Sequence, residues 1–507
     1  MRRKNPSVLR LLVSLSVMLL IAATVTGTAI ARPVSRSFTM TGPHAREGLK
    51  PTQPTVKPPP AVTPPTTTYP TTVVPPPGTG LNPLTELSTV DGVLGLYVGT
   101  ISNISYWSPA LAKLKPAGFG AIRVFLSWAK VETAPSSYTW ANVDKVLQLA
   151  EANGLRVEFV VKTTPEWTQA GTADADRGPD DPARLTSFIT AVCSRYRGRV
   201  AALQVWNEPN ATKYFTPYPG LSLPESYVRI LKAVYVGAKV ADPGVLIIGG
   251  NMDGRYATNL ASPSYAQDDF TAACYAAGAH GYFDIWATHN YPGSPSTRVP
   301  EFRFGTWAAN RSVWGVVDSI RSIMDAKGDA SKRLAISEVG WLNAGVAATY
   351  SDPATLVTQR RYTVRHVTLG LVRGIVSYQV MFIKDVPDNC KGVFDAAFAP
   401  RPVFEALAVL NDALRGCAFS DALAAGTSVH AYRFVRDDGR SVIVAWTNRG
   451  EYVDQSGPRA AGASQAVLPL PAGSSFAIVS LDGRTTGSLA AGQALPLTND
   501  PVILVQD

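Results

Sequence analysis

Two short stretches of the chain place a carboxylate directly after an apolar run. Glu208 lies in VWNEPN, behind the run Val200–Val205, and Glu338 lies in SEVGW, at the end of LAIS. Such runs are typical of buried strands, and Pro209 cannot continue a central strand. A carboxylate at the mouth of a strand, beside an amide and a Trp, is an unusual choice for packing alone. We therefore interpret Glu208 and Glu338 as two acids that the rest of the chain holds opposite each other.

Two carboxyl groups in that position suit the cleavage of a glycosidic bond. One group protonates the leaving oxygen and the other attacks the anomeric carbon, and a separation of about 5–5.5 Å predicts retention of configuration. Their mutual repulsion also helps to keep one of the two protonated near neutral pH. The alternative, that each is an ordinary loop acid, explains one such residue better than it explains two at matched strand ends.

The elements that position these acids alternate from about Gly92 onward. Strands are predicted at Leu94–Val98, Ala121–Leu126, Arg156–Val161, Ala201–Trp206, Val245–Gly249, Phe283–Thr288, Leu334–Ser337 and Ile375–Val380. Helices are predicted at Pro109–Ala117, Trp140–Asn153, Pro182–Tyr196, Glu225–Ala241, Asp268–Ala277, Val313–Lys327, Pro353–Leu369 and Pro402–Leu414. Eight strands alternating with eight helices predict an α/β fold, a (β/α)8 barrel. The alternative, a doubly wound open sheet, lacks its glycine-rich turn after the first strand. In the barrel, strands 4 and 7 lie across the mouth from each other.

The pattern changes after Gly416, where the helices stop. Segments His430–Val435 and Ser441–Trp446 flank the turn DDGR, which is a strong hairpin signal. Further strands are predicted at Gln465–Leu468, Phe476–Ser480 and Val502–Val505. We predict a small C-terminal β domain, a sandwich, over 416–507. Packing against the barrel is favoured over polysaccharide binding, because no row of aromatic residues marks a binding face.

The N-terminal segment predicts export. Residues 1–31 have a basic start, an apolar run from Leu11 to Ala23 and the small-residue sequence Ala29-Ile30-Ala31, the three parts of a signal peptide. An uncleaved membrane anchor is the alternative. Of the 27 residues from Pro51 to Pro77, 19 are Pro or Thr. Residues 32–80 are therefore predicted to be a disordered linker before a catalytic domain at 81–415. The chain is expected to be extracellular, or tethered to the membrane, with possible cell-wall or membrane association through this segment.

Composition and motifs exclude several other classes of protein. The formal charge is +9, but four of the basic residues belong to the predicted signal peptide, and no long basic run follows. Nucleic acid is therefore not an expected partner. The chain has no H-E-x-x-H, G-x-S-x-G or P-loop motif, and its five His lack ligand spacing. We expect no metal and no cofactor. The four cysteines permit disulfides in an exported chain without forming a dense framework, and free buried thiols are the alternative: Cys193, Cys274, Cys390 and Cys417.

The sequence resembles clan A of the glycoside hydrolases, which are retaining barrel enzymes. VWNEPN followed by ISEVGW matches the clan pattern, in which the acid/base follows an Asn on strand 4 and the nucleophile ends strand 7. IRVFLSWAKVE (122–132) and GLRVEFVVKTTPEW (154–167) are similar to family 39 and, more distantly, to family 5. The resemblance covers about 92–415, together with a C-terminal β domain of the kind that family 39 members carry.

The resemblance implies roles for several residues. Glu208 is implied as the acid/base and Glu338 as the nucleophile. Asn207 would hydrogen-bond the 2-hydroxyl of the sugar, and Arg123 would favour the ionised form of Glu338. A structural ion pair is the alternative for Arg123. The strand 6 sequence THNY places two more residues at the mouth, Tyr291 as a donor to Glu338 and His289 as a substrate contact.

Aromatic residues near the mouth are candidates for stacking on sugar rings. We rank them Trp341, Trp167 and Trp128, although Trp also fills cores. Many clan members place a Trp at the end of strand 8, whereas this chain has none there. Phe382 or Tyr378 is expected to substitute for it.

The sequence thus predicts a secreted retaining glycosidase that acts on a polysaccharide, an oligosaccharide or a cell-surface glycan. A transglycosylase that remodels cell-wall glycan would use the same residues. A barrel that only binds carbohydrate is a further alternative, and the presence of both acids argues against it.

Overall fold

The computed structural model of the chain describes residues 93–171, 173–254, 265–292, 299–301, 303–304, 311–341, 356–384, 391–451 and 464–507. The predicted signal peptide and linker lie outside these residues and remain predictions. None of the helices in the described part of the chain combines the length and the hydropathy of a membrane span.

Eight parallel strands close into a barrel, which confirms the predicted fold. In chain order the strands are β1 (Leu94–Thr100), β2 (Ala121–Ser127), β3 (Arg156–Lys162), β4 (Ala202–Val205), β5 (Leu246–Met252), β6 (Ile285–His289), β7 (Arg333–Val339) and β8 (Ile375–Val380). Each strand pairs with its neighbours in sequence, and β1 pairs with β8 to close the ring. Because all strands run the same way, their carboxyl ends share one face of the barrel, where β4 and β7 present Glu208 and Glu338.

The helices surround the barrel as the apolar periodicity predicted. They are α1 (Ile104–Leu114), α2 (Ala141–Ala152), α3 (Pro182–Arg195), α4 (Leu223–Ala241), α5 (Gln267–Ala276), α6 (Val313–Ala326), α7 (Leu356–Val372) and α8 (Pro402–Ala413). The predicted start of α1 at Pro109 is wrong, because Pro109 lies inside that helix. Pro at a first turn is the commoner arrangement, and it holds for α3 and α8. The predicted start of α7 at Pro353 lies outside the described residues.

The interior of the barrel is layered from apolar to polar. A cluster of small and branched apolar side chains fills one layer: Ala202, Leu246, Ile248, Ile285, Ala287, Ala335 and Val376. Polar side chains form another, in which Gln204 bonds Glu158 and Gln379 bonds Ser377. Gly95 makes room for this layer, because a Cβ there would lie 2.4 Å from Oε1 of Gln379. The interior of the barrel therefore contains a packed polar layer and is not a purely apolar core.

The C-terminal region forms a six-stranded antiparallel sheet with a two-stranded sheet beside it, which confirms the predicted sandwich-like domain. Its strands are β9 (Cys417–Ala422), β10 (Val429–Arg436), β11 (Ser441–Thr447), β12 (Ser464–Val467), β13 (Ser475–Val479), β14 (Thr485–Ala490), β15 (Ala494–Leu497) and β16 (Val502–Gln506). The large sheet has the order β9-β10-β11-β16-β13-β14, and β12 pairs with β15. Strands β9, β14 and β15 were not predicted from the sequence. The first two are largely exposed edge strands, so they lack the apolar alternation that marks a half-buried strand.

Two of the four cysteines follow the free-thiol alternative. Cys193 and Cys274 are free and buried, Cys417 is buried, and Cys390 lies outside the described residues. Burial raises the pKa of the Cys193 thiol to about 12, as expected for a thiol that packs as a small apolar group.

Candidate active site

Glu208 reaches the mouth of the barrel through a strained turn at the end of β4. Trp206 and Glu208 both adopt left-handed backbone conformations, with φ of 63° and 54°. The backbone N–H of Glu208 donates to the carbonyl of Asn251 at 2.8 Å, and Asn251 is itself left-handed, with φ of 51°. A non-glycine residue in such a conformation costs about 1–3 kcal/mol. Three of them at two adjacent strand ends indicate that the position of the Glu208 side chain is maintained against local strain.

Glu338 lies on β7 opposite His289 of β6 and is held by donors on both carboxylate oxygens. Arg123 Nη1 donates to Oε1 at 2.8 Å, and the hydroxyl of Tyr291 donates to Oε2 at 3.0 Å. Burial alone would raise the pKa of Glu338. The charges of His289 and Arg123, together with the hydrogen bonds from Tyr291 and Arg123, outweigh burial and lower the pKa. Glu338 is therefore held as a carboxylate near neutral pH.

The two acids meet over the ring of His289. Its Nδ1 lies 2.9 Å from Oε1 of Glu208 and 3.5 Å from Oε2 of Glu338. Within this group, one carboxylate oxygen of Glu208 and one of Glu338 lie within 4.8 Å of each other. The ring of His289 is fully buried, and its Nδ1 faces both acids. The prediction that His289 touches substrate is corrected accordingly, because a ring with no exposed surface offers no face to a ligand.

The same three residues have the donor types that a divalent metal ion could use. Both oxygens of Glu338 already accept hydrogen bonds, one of them from a guanidinium. A cation bound there would be repelled by the positive charge of Arg123 and would compete with it for Oε1 of Glu338. The contacts fit two interacting acids better than a metal centre.

Arg123 connects Glu338 to the residue before Glu208. Its Nη2 donates to Oδ1 of Asn207 at 2.9 Å, and its Nε donates to Oε1 of Gln204 at 2.8 Å. Both Arg123 and Asn207 are buried. Because Oδ1 of Asn207 accepts from Arg123, the amide nitrogen of Asn207 is the atom left to donate to a ligand.

The three tryptophans occupy different environments. Trp128 and Trp341 are 2% and 1% exposed, so their predicted stacking on sugar rings is corrected, because stacking needs an open ring face. Trp128 stacks on Phe188 and donates its Nε1 to Glu132. Trp341 packs against the rings of Tyr362 and His366. Trp167 is only partly buried, with Nε1 bonded to the carbonyl of Glu132 at 3.2 Å.

Phe382 follows the end of β8 and is one of the two residues that the sequence analysis expected in place of a Trp. The Tyr378 ring is fully buried, which excludes it as a stacking surface. Phe382 is partly exposed, and its ring lies 5.4 Å from that of Tyr97. Tyr97 in turn makes an edge contact with Phe125 at 5.2 Å. These three rings form an aromatic wall beside Arg123, which lies 5.5 Å from the Tyr97 ring centroid.

Sequence reasoning missed the polar side chains beneath Arg123. Gln204 and Glu158 are buried, and each lies within an apolar strand, β4 (ALQV) and β3 (RVEFVVK). A polar residue inside such a strand was the available signal. It is a strong one in a barrel, where a buried polar group must find a partner.

Comparisons with known proteins agree with this geometry. The model of glycosyl hydrolase family 10 matches residues 121–219, a segment that ends beyond Glu208. No curated protein sequence matches the chain significantly. The fold is shared with solved glycoside hydrolases.

One similar structure is a family 39 glycoside hydrolase from the gut symbiont Bacteroides cellulosilyticus WH2. It is 20% identical with a TM-score of 0.65, over 83% of this chain and 81% of the other. A second is the catalytic domain of the family 30 xylanase C from Talaromyces cellulolyticus, 15% identical with a TM-score of 0.54, over 83% and 97% of the two chains. A third, an endo-β1,6-glucanase, is 14% identical with a TM-score of 0.51, over 82% and 91%. The predicted resemblance is therefore confirmed in fold, and the family match agrees with the prediction of a glycosidase.

Proposed function

We propose that the chain is a retaining glycoside hydrolase that cleaves O-glycosidic bonds by double displacement. The observation that carries the proposal is the pair of acids. One oxygen of Glu208 and one of Glu338 lie within 4.8 Å of each other. This separation fits the close carboxyl pair of retaining enzymes better than the ~6.5–9.5 Å pair that inverting enzymes use to admit a water.

In the first step, Glu338 attacks the anomeric carbon and Glu208 protonates the leaving oxygen. Arg123 and Tyr291 hold Glu338 as a carboxylate, the form that the attack requires. His289 hydrogen-bonds one oxygen of Glu208. The other oxygen of Glu208 is then the one that carries the proton to the leaving group.

In the second step, Glu208 removes a proton from water, and that water releases the sugar from Glu338. Asn207 donates its amide N–H to the 2-hydroxyl of the sugar, since its oxygen accepts from Arg123. Phe382 and the partly exposed Trp167 provide apolar faces for sugar rings.

The proposed substrate is a polysaccharide, an oligosaccharide or a cell-surface glycan, reached by a secreted or tethered enzyme. Support comes from the predicted signal peptide and from the Pro/Thr-rich segment between it and the barrel. The solved structures of similar fold include a xylanase and a glucanase, which makes plant and microbial β-glycans the first polymers to assay.

The proposal is tested with the full chain, a panel of activated aryl glycosides and the variant Glu208→Ala. On a substrate that the wild type cleaves, this variant should form the glycosyl-enzyme and hydrolyse it slowly. Azide should restore turnover, because it replaces the water that has lost its base. The control is Glu166→Ala, which removes an exposed acid from the loop after β3. Near-wild-type turnover in Glu208→Ala without azide would overturn the assignment.

A further inference from the structure

A chain of buried hydrogen bonds extends from Glu338 down into the barrel and ends at Glu158. Arg123 donates from Nε to Oε1 of Gln204 at 2.8 Å, and Gln204 donates from Nε2 to Oε2 of Glu158 at 2.8 Å. The other oxygen of Glu158 accepts from the hydroxyl of Ser377 at 2.6 Å. Glu158, Gln204 and Arg123 are each at most 1% exposed.

The direction of each bond follows from which groups can donate. A guanidinium offers only donors, so the oxygen of the Gln204 amide must face Arg123. The NH₂ of that amide must then face Glu158, where it needs an acceptor. Glu158 offers one in either protonation state, because a neutral carboxyl keeps its carbonyl oxygen. This matters since burial raises the pKa of Glu158, against the opposing effects of Ser377, Arg156, Gln204 and Arg123.

We propose that Glu158 is a positioning residue for the reaction. The acceptor that it presents fixes the Gln204 amide, and this amide fixes the guanidinium of Arg123 in the orientation that reaches both Glu338 and Asn207. The inference rests on the proposed function, in which Glu338 is the nucleophile. It extends that function to two residues, Glu158 and Gln204, that do not contact the substrate.

Apart from Glu338 and Asn207, the two groups that Arg123 must reach, Gln204 is the neighbour that directs the rotation of its guanidinium. The rings of Tyr97 and Phe125 lie 5.5 and 5.3 Å from the guanidinium carbon, and they attract its charge without directing its N–H groups. Rotation of the guanidinium about its long axis would break its bonds to Glu338 and Asn207 together. A displacement of about 1 Å at such a group is enough to reduce turnover roughly 100-fold.

The test compares Glu158→Gln with Glu158→Met. Both variants remove the ionisable group at similar volume, and only the Met variant removes the acceptor that faces Gln204. Glu158→Gln should keep kcat/KM within about threefold of the wild type. Glu158→Met should lower kcat about 10- to 100-fold with a smaller change in KM. The acidic limb of its pH profile should lie at higher pH than that of Glu158→Gln, because a displaced Arg123 stabilises the Glu338 carboxylate less.

A purely structural role would give a different result. Glu158→Met would then unfold at a lower temperature than Glu158→Gln while the kcat and acidic limb of the two variants coincided, and the inference would be overturned. Crystal structures of the two variants give a readout independent of activity. The Arg123 Nη1 to Glu338 Oε1 distance, 2.8 Å here, should persist in Glu158→Gln and lengthen in Glu158→Met. An unchanged distance in both would refute the inference even if no glycoside substrate were found.

Exchanging the two side chains gives a second test. Gln204→Glu places a carboxylate against the Glu158 carboxylate, so turnover should fall. Adding Glu158→Gln restores a donor opposite an acceptor, since the amide introduced at position 158 would donate to the carboxylate introduced at position 204. That carboxylate would in turn accept from Arg123. The double variant should therefore turn over about tenfold faster than Gln204→Glu alone, and losses that simply add would contradict the proposed chain of bonds.

Discussion

Arg123 at the mouth and Arg365 on α7 are both fully buried, and their partners differ in kind. Arg123 bonds one carboxylate and two amides. Arg365 bonds Glu301 through two nitrogens, at 3.1 and 2.6 Å, and Glu451 through a third, at 2.7 Å. Glu301 also accepts from Nε1 of Trp446 on β11. Arg365 thereby joins a barrel helix and a barrel loop to the C-terminal domain.

The partners of a buried arginine decide how much of its charge can act on a neighbouring acid. The two carboxylates around Arg365 more than balance its charge, and their geometry is that of a structural clamp. Around Arg123, amides satisfy two of the donors without adding charge, so Glu338 is the one carboxylate that Arg123 contacts directly among the described residues. In this chain, neutral partners therefore distinguish Arg123, which lowers the pKa of Glu338, from Arg365, which links the barrel to the C-terminal domain.

The largest contrast is expected between the carboxylate partners of the two arginines. Glu338→Gln should reduce turnover by roughly 10⁴-fold or more, because the proposed nucleophile is lost. Glu301→Gln should leave kcat within about twofold and lower thermal stability. Steady-state kinetics and thermal melts of both variants check this. A large loss of kcat in Glu301→Gln with intact folding would mean that the clamp also serves the mouth.

Substitution of Arg365 should mainly lower stability, whereas substitution of Arg123 should mainly lower kcat. Arg365→Met should lower the free energy of unfolding by about 3–5 kcal/mol, because two buried carboxylates lose their partner. Arg123→Met should reduce kcat roughly 10²–10³-fold, through a misplaced and less ionised Glu338. Denaturant unfolding and kinetics on both proteins provide the measurements. Equal losses of kcat in the two variants would contradict the assignment of a structural role to Arg365 and a catalytic-site role to Arg123.

The pH dependence of activity should show the effect of the Arg123 charge on the pKa of Glu338. The pKa of Glu338 is lowered because the charges of His289 and Arg123 outweigh the effect of burial. The acidic limb of kcat/KM is therefore expected below the ordinary range of a glutamate and should move to higher pH in Arg123→Met. The same limb should stay in place in Arg365→Met, which serves as the control. If the acidic limb stayed at the same pH in both variants, Arg123 would not be lowering the pKa of Glu338.

The smallest effect is expected in the pH dependence of stability around Arg365. Burial would raise the pKa of Glu301, but Arg365 and His430 outweigh it, and the pKa is lowered. A carboxyl with a lowered pKa stabilises the fold above its unfolded-state pKa, and this contribution is lost as the pH falls through the folded-state value. Arg365→Met should flatten this acid loss of stability. Unfolding measured in acid and at neutral pH tests it, and an unchanged slope would argue against the clamp.

The sequence predicted the barrel and its two acids because both are local signals. Apolar runs marked the strands, and Asn207-Glu208-Pro209 and Ser337-Glu338 marked the carboxyl-end regions of two of them, although β7 continues to Val339. The roles of Trp128 and Trp341 were misjudged because the burial of a Trp depends on which helices cover it, which the local sequence does not show. Glu158 and Gln204 went unrecognised for a related reason. Only the closure of the barrel brings Ser377, Glu158, Gln204 and Arg123 into one line of hydrogen bonds.

The central claim is that Glu338 attacks the sugar while Glu208, within 4.8 Å of it, handles the proton. Proton NMR of the products formed in the first minutes, before mutarotation, tests this most directly on any glycoside that the enzyme cleaves. The account predicts that the first anomer released has the configuration of the substrate linkage, because two displacements restore it. Release of the inverted anomer would contradict the account, since water would then have attacked the sugar in place of Glu338.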